Sequence, residues 1–130
     1  MVKPAVVLLL GMGLSLSAAA ESPAQMRDAY ARAAGLSPEA IVVAEGEKLF
    51  RSGGSGDKQC ASCHTDDPKQ AGKTKVGKRI EPMAPAVNAE RFTDPKKTEK
   101  WFGRNCKDVL DRECTPREKA SFIAWLMTIQ

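Results

Sequence analysis

The feature that most constrains this chain is a short motif in which Cys60 and Cys63 are followed directly by His64. Two thiols at this spacing reach the two vinyl groups on one edge of a porphyrin, and the next residue brings an imidazole beneath the iron. The motif therefore predicts one covalently attached haem c, tethered by Cys60 and Cys63, with His64 as an axial ligand. The glycine- and serine-rich residues 52–56 before it are typical of a loop that delivers the motif.

Two other uses of the cysteines fit less well. A redox-active Cys-x-x-Cys site belongs with a strand-helix-strand pattern, and the sequence around Cys60 has no such pattern. A zinc site has the right number of ligands if it uses all four cysteines, Cys60, Cys63, Cys106 and Cys114. The histidine next to Cys63 and the export signal described next both favour haem over zinc.

Residues 1–20 have the pattern of a secretory signal peptide. Lys3 precedes an apolar and small-residue run that ends in Ala18–Ala20, just before Glu21. The run is short for a membrane span and lacks the basic cluster of a retained anchor, so we expect it to be removed. Residues 21–130 would then form a single haem domain in the periplasm, an oxidising compartment. This location excludes nucleic acid as a partner, and no other stretch is apolar enough to span a membrane.

Caps, prolines and apolar spacing predict an all-α fold, with about four helices around the haem. The predicted helices begin at Ser22-Pro23, Ser37-Pro38, Thr93-Asp94-Pro95 and Thr115-Pro116, and the first three end near Gly35, Arg51 and Leu110. Thr115 and Glu118 form a capping box. The last helix places five apolar side chains largely on one core face: Phe122, Ile123, Trp125, Leu126 and Ile129. Residues 65–92 predict an irregular segment that wraps the haem.

The second axial position of the iron is restricted because His64 is the single histidine of the chain. Met83 is one candidate, since it lies in a proline-flanked loop 19 residues after His64, and a thioether there would favour ferrous iron. Asn105 is the other candidate, four residues after Trp101 on one face of a predicted helix. Spacing alone favours a helix-end or solvent contact for Asn105, so both ligands remain open at this point.

Cys106 and Cys114 remain after haem attachment and are an even pair in an oxidising compartment, which predicts a disulfide. Its short loop would contribute roughly 2–3 kcal/mol in the chain-entropy model. A second surface feature is the segment 69–79, which has no acid and five positive residues: Lys69, Lys73, Lys75, Lys78 and Arg79. A solvated loop is the first interpretation, and haem propionates or an acidic redox partner are the alternatives.

Taken in order along the chain, these motifs resemble the sphaeroides haem protein family of small oxygen-binding class I cytochromes c, a resemblance that implies the small class I cytochrome c fold. The resemblance rests on the haem motif, Arg91-Phe92-Thr93-Asp94, Gly103-Arg104-Asn105-Cys106 and Cys114-Thr115-Pro116. It implies that Asn105 is the sixth ligand of ferric haem and leaves on reduction, and that Met83 is a packing residue. It also implies transient oxygen binding, with electrons supplied by a dihaem cytochrome c and a membrane cytochrome b.

The implied ligand exchange has a physical basis, because an amide oxygen is a hard donor that suits ferric iron better than ferrous iron. Loss of Asn105 would leave an open position for O2, NO or CO. Two alternatives stay open. One is a simple electron carrier with a fixed Met83 or Asn105 ligand, and the other is a haem enzyme acting on O2, peroxide or NO. Of these, an electron-transfer and gas-binding haem protein is favoured over a dedicated enzyme.

Overall fold

The computed structural model describes residues 19–130, which fold into five α-helices and one small hairpin. The helices are α1 (Pro23–Ala33), α2 (Val43–Arg51), α3 (Ala61–His64), α4 (Pro95–Leu110) and α5 (Pro116–Thr128). The hairpin pairs β1 (Gly72–Lys73) with β2 (Arg79–Ile80) in antiparallel register. The predicted signal peptide lies outside the described residues except for its last two positions. Within residues 19–130 no helix is long and apolar enough to cross a membrane.

The core lies where α1 and α2 pack on α5. Helix α5 begins at a capping box in which the Thr115 hydroxyl accepts from the Glu118 amide and the Glu118 carboxylate accepts from the Thr115 amide. Its middle is buried on every side between its neighbours, as residues 119–126 show. The predicted core stripe is confirmed for Phe122, Ile123, Trp125 and Leu126, and Ile129 packs partly buried against it.

Helix α2 crosses α5 at a glycine. A Cβ built on Gly46 would overlap the backbone carbonyl of Ser121 and lie 2.9 Å from the Cα of Phe122. Only hydrogen fits at this position, so the two helix backbones approach closely there. One turn further along α2, Phe50 is fully buried, with its ring centroid 5.0 Å from that of Trp125.

The prediction that the second helix begins at Ser37-Pro38 is wrong. Pro38–Ala40 form a single 3₁₀ turn, Ile41 and Val42 are extended, and the α-helix begins at Val43. Ser37 makes no side-chain cap hydrogen bond. Two adjacent β-branched residues, which lose χ1 freedom in a helix, follow the turn and favour the extended interruption.

Helix α4 is the long helix of the fold and is capped as predicted. The Asp94 carboxylate accepts from the Lys97 amide at its start, and Asp111 ends it in a left-handed conformation with φ 59°. Its buried side chains are Thr98, Phe102 and Cys106, spaced four apart on one face. Phe102 packs edge-on against Tyr30 of α1 and Phe122 of α5, with centroid distances of 5.8 and 5.6 Å. Phe102 therefore joins α4 to both α1 and α5.

We predict that Gly46→Ala lowers the free energy of unfolding by about 3 kcal/mol, because the added methyl forces α2 away from α5. Urea unfolding of the purified protein measures this loss. Gly56→Ala is the matched control, since a Cβ at Gly56 meets nothing within 4 Å. The control should change stability by less than about 0.5 kcal/mol. Equal midpoints for the two variants would contradict the close crossing.

Candidate haem site

The motif residues lie at α3, a helix of one turn, with Cys63 and His64 inside the helix and Cys60 as its N-cap. The amides of Cys63 and His64 both donate to the Cys60 carbonyl, at 3.2 and 3.0 Å. Thr65 then has a φ of 64°, which ends the helix immediately after His64. Cys60 and Cys63 are half-buried free thiols on this turn. The structure therefore holds two thiols and an imidazole together on one short rigid element.

Strand β1 of the hairpin packs against the backbone of α3. A Cβ on Gly72 of β1 would overlap the Cys63 carbonyl and lie 3.0 Å from the Cα of His64. The absence of a side chain at Gly72 lets β1 pass directly against the motif backbone. This contact fixes the position of the His64 backbone relative to β1.

His64 has an environment suited to a metal ligand. Burial, together with the positive charge of Arg91, lowers the pKa of His64 to about 4. The imidazole is consequently neutral at pH 7, with a lone pair available, which is the form that binds a metal. The buried Nδ1 atom of His64 has no hydrogen-bond partner within residues 19–130. This ring nitrogen is therefore not committed to another group of the described chain.

The loop after the hairpin is fastened to the segment that leaves His64. The amides of Met83 and Ala84 both donate to the Pro68 carbonyl, at 2.9 and 3.0 Å. Arg91 holds the same loop, because its Nε donates to the Pro82 carbonyl at 2.8 Å. Met83 is 9% exposed and belongs to the hydrophobic core cluster. Met83 is therefore tied into the same part of the molecule as His64.

Asn105 lies in a different setting, exposed in the middle of α4. The position is not a helix end, so the helix-cap interpretation of Asn105 does not apply. Trp101, one turn earlier, is 41% exposed, and the Arg104 guanidinium lies 5.6 Å from its ring centroid. A Cβ on neighbouring Gly103 would meet nothing within 4 Å. Trp101 and Asn105, four positions apart, thus place a large indole and an amide on one face of α4, while Gly103 lies on the opposite side of the helix.

The structure connects the motif loop directly to the helix that bears Asn105. The Gly54 amide donates to the Val109 carbonyl at 3.0 Å. The Lys58 ammonium contacts the Asp108 carboxylate at 2.6 Å, and this contact lowers the pKa of Asp108. The predicted site residues of α3 and α4 are thus parts of one connected framework. The sequence pattern did not identify Lys58 or Asp108, which are 50 positions apart.

Cys106 and Cys114 are joined by a disulfide with a Cα–Cα distance of 5.6 Å. Both residues are 6% exposed, so the bond lies in the core between the end of α4 and the start of α5. Cys106 directly follows Asn105 in the helix. The disulfide therefore fixes the backbone next to the candidate ligand.

The side chains present fit a haem better than either alternative. A redox-active Cys-x-x-Cys depends on a depressed thiol pKa, whereas burial raises the pKa of Cys60 to about 11. The zinc site of four cysteines is not available, because Cys106 and Cys114 are bonded to each other. Within residues 19–130 no group of three or more His, Cys, Asp or Glu could hold a metal ion alone. Two thiols, a neutral imidazole and an uncovered indole match a flat apolar cofactor with its own ligands.

The basic segment is partly committed to contacts within the chain. Lys69 donates to the Gln130 carbonyl at 3.0 Å, and Arg79 pairs with Glu81 at 2.8 Å. The lysines of the hairpin, Lys73, Lys75 and Lys78, are exposed. Beside them Val76 is 91% exposed at the turn. The segment is thus a solvated hairpin tip, as the first interpretation of the sequence held.

Comparison with known proteins gives consistent matches. A family model described as Domain of unknown function (DUF1924) matches residues 37–126. The chain is 46% identical over 109 residues to the cytochrome c-type protein SHP of Cereibacter sphaeroides, covering 81% of this chain and 82% of that protein. It is 48% identical over 82 residues to cytochrome c'' of Methylophilus methylotrophus, covering 62% of this chain and 57% of that protein.

Solved structures match over most of their length. Oxidised SHP, an oxygen-binding cytochrome c, gives a TM-score of 0.76 at 43% identity, with 84% of this chain and 98% of that chain covered. Oxidised cytochrome c'' gives a TM-score of 0.71 at 40% identity, with 83% and 95% covered. A solution structure of cytochrome c'', which addresses haem-ligand detachment, gives 0.66 at 37% identity, with 82% and 92% covered. These matches confirm the small all-α cytochrome c fold and a single covalent haem c.

Thiol labelling tests the use of all four cysteines at once. We expect no label from iodoacetamide on the denatured, unreduced protein, because two cysteines carry thioethers and two form the disulfide. Reduction should expose two thiols, located by peptide mass spectrometry at Cys106 and Cys114. Labelling of Cys60 or Cys63 would contradict covalent attachment. Labelling of all four in the presence of a chelator, without reduction, would instead indicate zinc.

Proposed function

This chain belongs to the DUF1924 family and to the family of the sphaeroides haem protein, and from that premise we propose that it accepts an electron and then binds a diatomic gas at a position that Asn105 vacates. It is a c-type cytochrome with one covalent haem c. The observation that carries the proposal is the exposed, mid-helix Asn105 on a helix tied to the haem motif loop.

The residues of α3 hold the cofactor. Cys60 and Cys63 would tether it on one edge, and neutral His64 would be the axial ligand that stays in both oxidation states. When bound, the haem supplies the redox-active iron and the position at which a diatomic ligand binds.

The side chain of Asn105 is suited to bind iron in one oxidation state only. Its amide oxygen is a hard donor and so prefers ferric to ferrous iron. Within residues 19–130 the Asn105 side chain makes no hydrogen bond that would have to break before it binds or leaves. After it leaves, the amide N–H group can donate a hydrogen bond to a bound gas. One side chain would therefore act first as ligand and then as distal donor.

Met83 is poorly suited to the same role. Its side chain is part of the hydrophobic core cluster, and its backbone is held by the Pro68 carbonyl. Withdrawing a buried methionine from a core leaves a cavity, which typically costs about 2–5 kcal/mol for the equivalent truncation. If Met83 bound and released the iron in each redox cycle, this loss of packing free energy would recur every time.

The relatives support ligand exchange. SHP is an oxygen-binding cytochrome c, and the solution structure of cytochrome c'' concerns haem-ligand detachment. Because this chain has a single histidine, a detaching ligand here would not be a second imidazole. An amide in that place is consistent with the position of Asn105 on α4.

We further propose a periplasmic location and delivery of electrons by a dihaem cytochrome c and a membrane cytochrome b. The disulfide favours an oxidising compartment. The exposed lysines of the hairpin favour an acidic surface on the electron donor. Fractionation of cells that produce the tagged full chain tests the location. A haem-loaded protein found only in the cytoplasm would contradict it.

We predict that Asn105→Ala keeps covalent haem yet converts the ferric protein from low-spin to high-spin, because the sixth ligand is lost. Optical and electron paramagnetic resonance spectra of the ferric protein measure the change. A ferric spectrum identical to that of the unmutated protein would exclude Asn105 as the ligand.

Met83→Leu is the matched control for the ligand assignment, since leucine replaces methionine at small packing cost, usually under about 1.5 kcal/mol. We expect its ferric spectrum to stay low-spin. A high-spin ferric spectrum in Met83→Leu, with Asn105→Ala unchanged, would make the protein an electron carrier with a Met83 ligand.

Carbon monoxide tests the ferrous state directly. We expect the anaerobically reduced protein to give a broad five-coordinate spectrum that sharpens when CO is added, because Asn105 has left. An unchanged six-coordinate spectrum, with no response to CO, would contradict gas binding and favour simple electron transfer.

A further inference from the structure

A buried lysine joins three helices at the start of α4. Lys119 of α5 is only 8% exposed, and its Nζ donates to the Glu99 carboxylate of α4 at 2.6 Å. The Tyr30 hydroxyl of α1 donates to the second oxygen of Glu99 at 2.7 Å. The Lys119 ammonium also lies over the Tyr30 and Phe102 rings, 5.2 and 5.8 Å from their centroids.

This network differs from the other ion pairs of the described chain. Those pairs join side chains that are about a quarter or more exposed, and such pairs add little to stability. A lysine as buried as Lys119 is costly unless a partner satisfies it. Both oxygens of Glu99 are engaged by groups from different helices, which lowers the pKa of Glu99 and, with burial, raises that of Tyr30.

We propose that Lys119, Glu99 and Tyr30 are positioning residues that fix the rotation and height of α4 and thereby hold Asn105 at its bonding position. The proposal rests on the proposed role of Asn105 as ferric ligand. Glu99 and Asn105 are six residues apart on one helix, a rise of about 9 Å along a rigid rod. A small rotation of α4 at Glu99 is therefore transmitted to Asn105.

The polar contacts of Glu99 add directional bonds to a helix face that is already buried at Thr98, Phe102 and Cys106. Phe102 is the main apolar contact of α4 with α1 and α5. Burial of an apolar surface is non-directional, so packing alone leaves small rotations of α4 weakly opposed. Hydrogen bonds at 2.6 and 2.7 Å to two different helices remove that freedom. The disulfide at Cys106 fixes the other side of Asn105.

Imidazole binding to the ferric, haem-loaded protein measures how firmly Asn105 is held, because imidazole must displace it. We expect Glu99→Gln to raise the apparent imidazole affinity roughly fivefold, the size typical when a network linking two parts of a protein is broken. Lys119→Met is the second variant, since a methionine fills the same space without an unpaired charge. The imidazole affinity of Lys119→Met should rise by a similar factor.

Glu45→Gln is the matched control. Glu45 pairs with Arg117 at 2.8 Å, which joins α2 to α5 without involving α4. The same chemical change there should leave imidazole affinity unaltered. Thermal unfolding is measured alongside for every variant. A network that only stabilises the fold would lower the unfolding temperature in Glu99→Gln and leave imidazole affinity unchanged, which would overturn the proposal.

A double-mutant cycle identifies the route of the effect. In the Asn105→Ala background imidazole has nothing to displace, so adding Glu99→Gln should produce no further rise. An equal rise in both backgrounds would mean that Glu99 acts on the pocket in general, and the proposal would be wrong. If Asn105→Ala alone leaves imidazole affinity unchanged, the ligand assignment itself fails, a result distinct from failure of the network alone.

Discussion

The helix that carries Cys63 and His64, with Cys60 as its N-cap, has four residues, and none of them is fully buried. A helix this short does not form by itself in water, because nucleation fixes several residues for very few hydrogen bonds. Its geometry is imposed from outside, by Gly72 against its backbone on one side and by the Gly54 to Val109 hydrogen bond on the other. The positions of the two thiols and the imidazole therefore depend on contacts from outside α3.

That support leads back to the packed helices. The loop before α3 is held by the end of α4, and α4 is held by α1 and α5 through Phe102 and Glu99. The packing of α2 against α5 is in turn determined by the close backbone contact at Gly46. A core built for close helix contact thus determines, through a few polar bonds, where two thiols, an imidazole and an amide lie.

The local signals in the sequence predicted much of this arrangement. The haem motif, the caps at Asp94 and Thr115 and the apolar face of α5 are short-range patterns, and the structure contains the caps and the core face where they were expected. The start of α2 was wrong because an isolated Ser-Pro cap was outweighed by the β-branched residues after it. The segment 65–92 was predicted to be irregular, but its two-residue strands are too short to leave a pattern.

Long-range polar pairs could not be found in the same way. Lys58 meets Asp108 across 50 positions, Tyr30 meets Glu99 across 69, and nothing in one sequence marks two charged residues as neighbours. Lys119 in particular is buried like a core residue, although lysine is a residue type that is usually exposed. Asn105 was ambiguous from spacing, and its assignment came from resemblance to a family.

These pairs also bear on how a ligand could leave without unfolding its helix. On the proposed function, Asn105 must release the iron on reduction and rebind on oxidation, while α4 is held near Glu99, at Cys106 and at Asp108. These three contacts oppose a large backbone shift of α4, since each of them would have to break. Rotation about the side-chain bonds of an exposed asparagine breaks none of them and passes over barriers crossed in picoseconds to nanoseconds. The rigid helix then serves to return the amide to the same place each time.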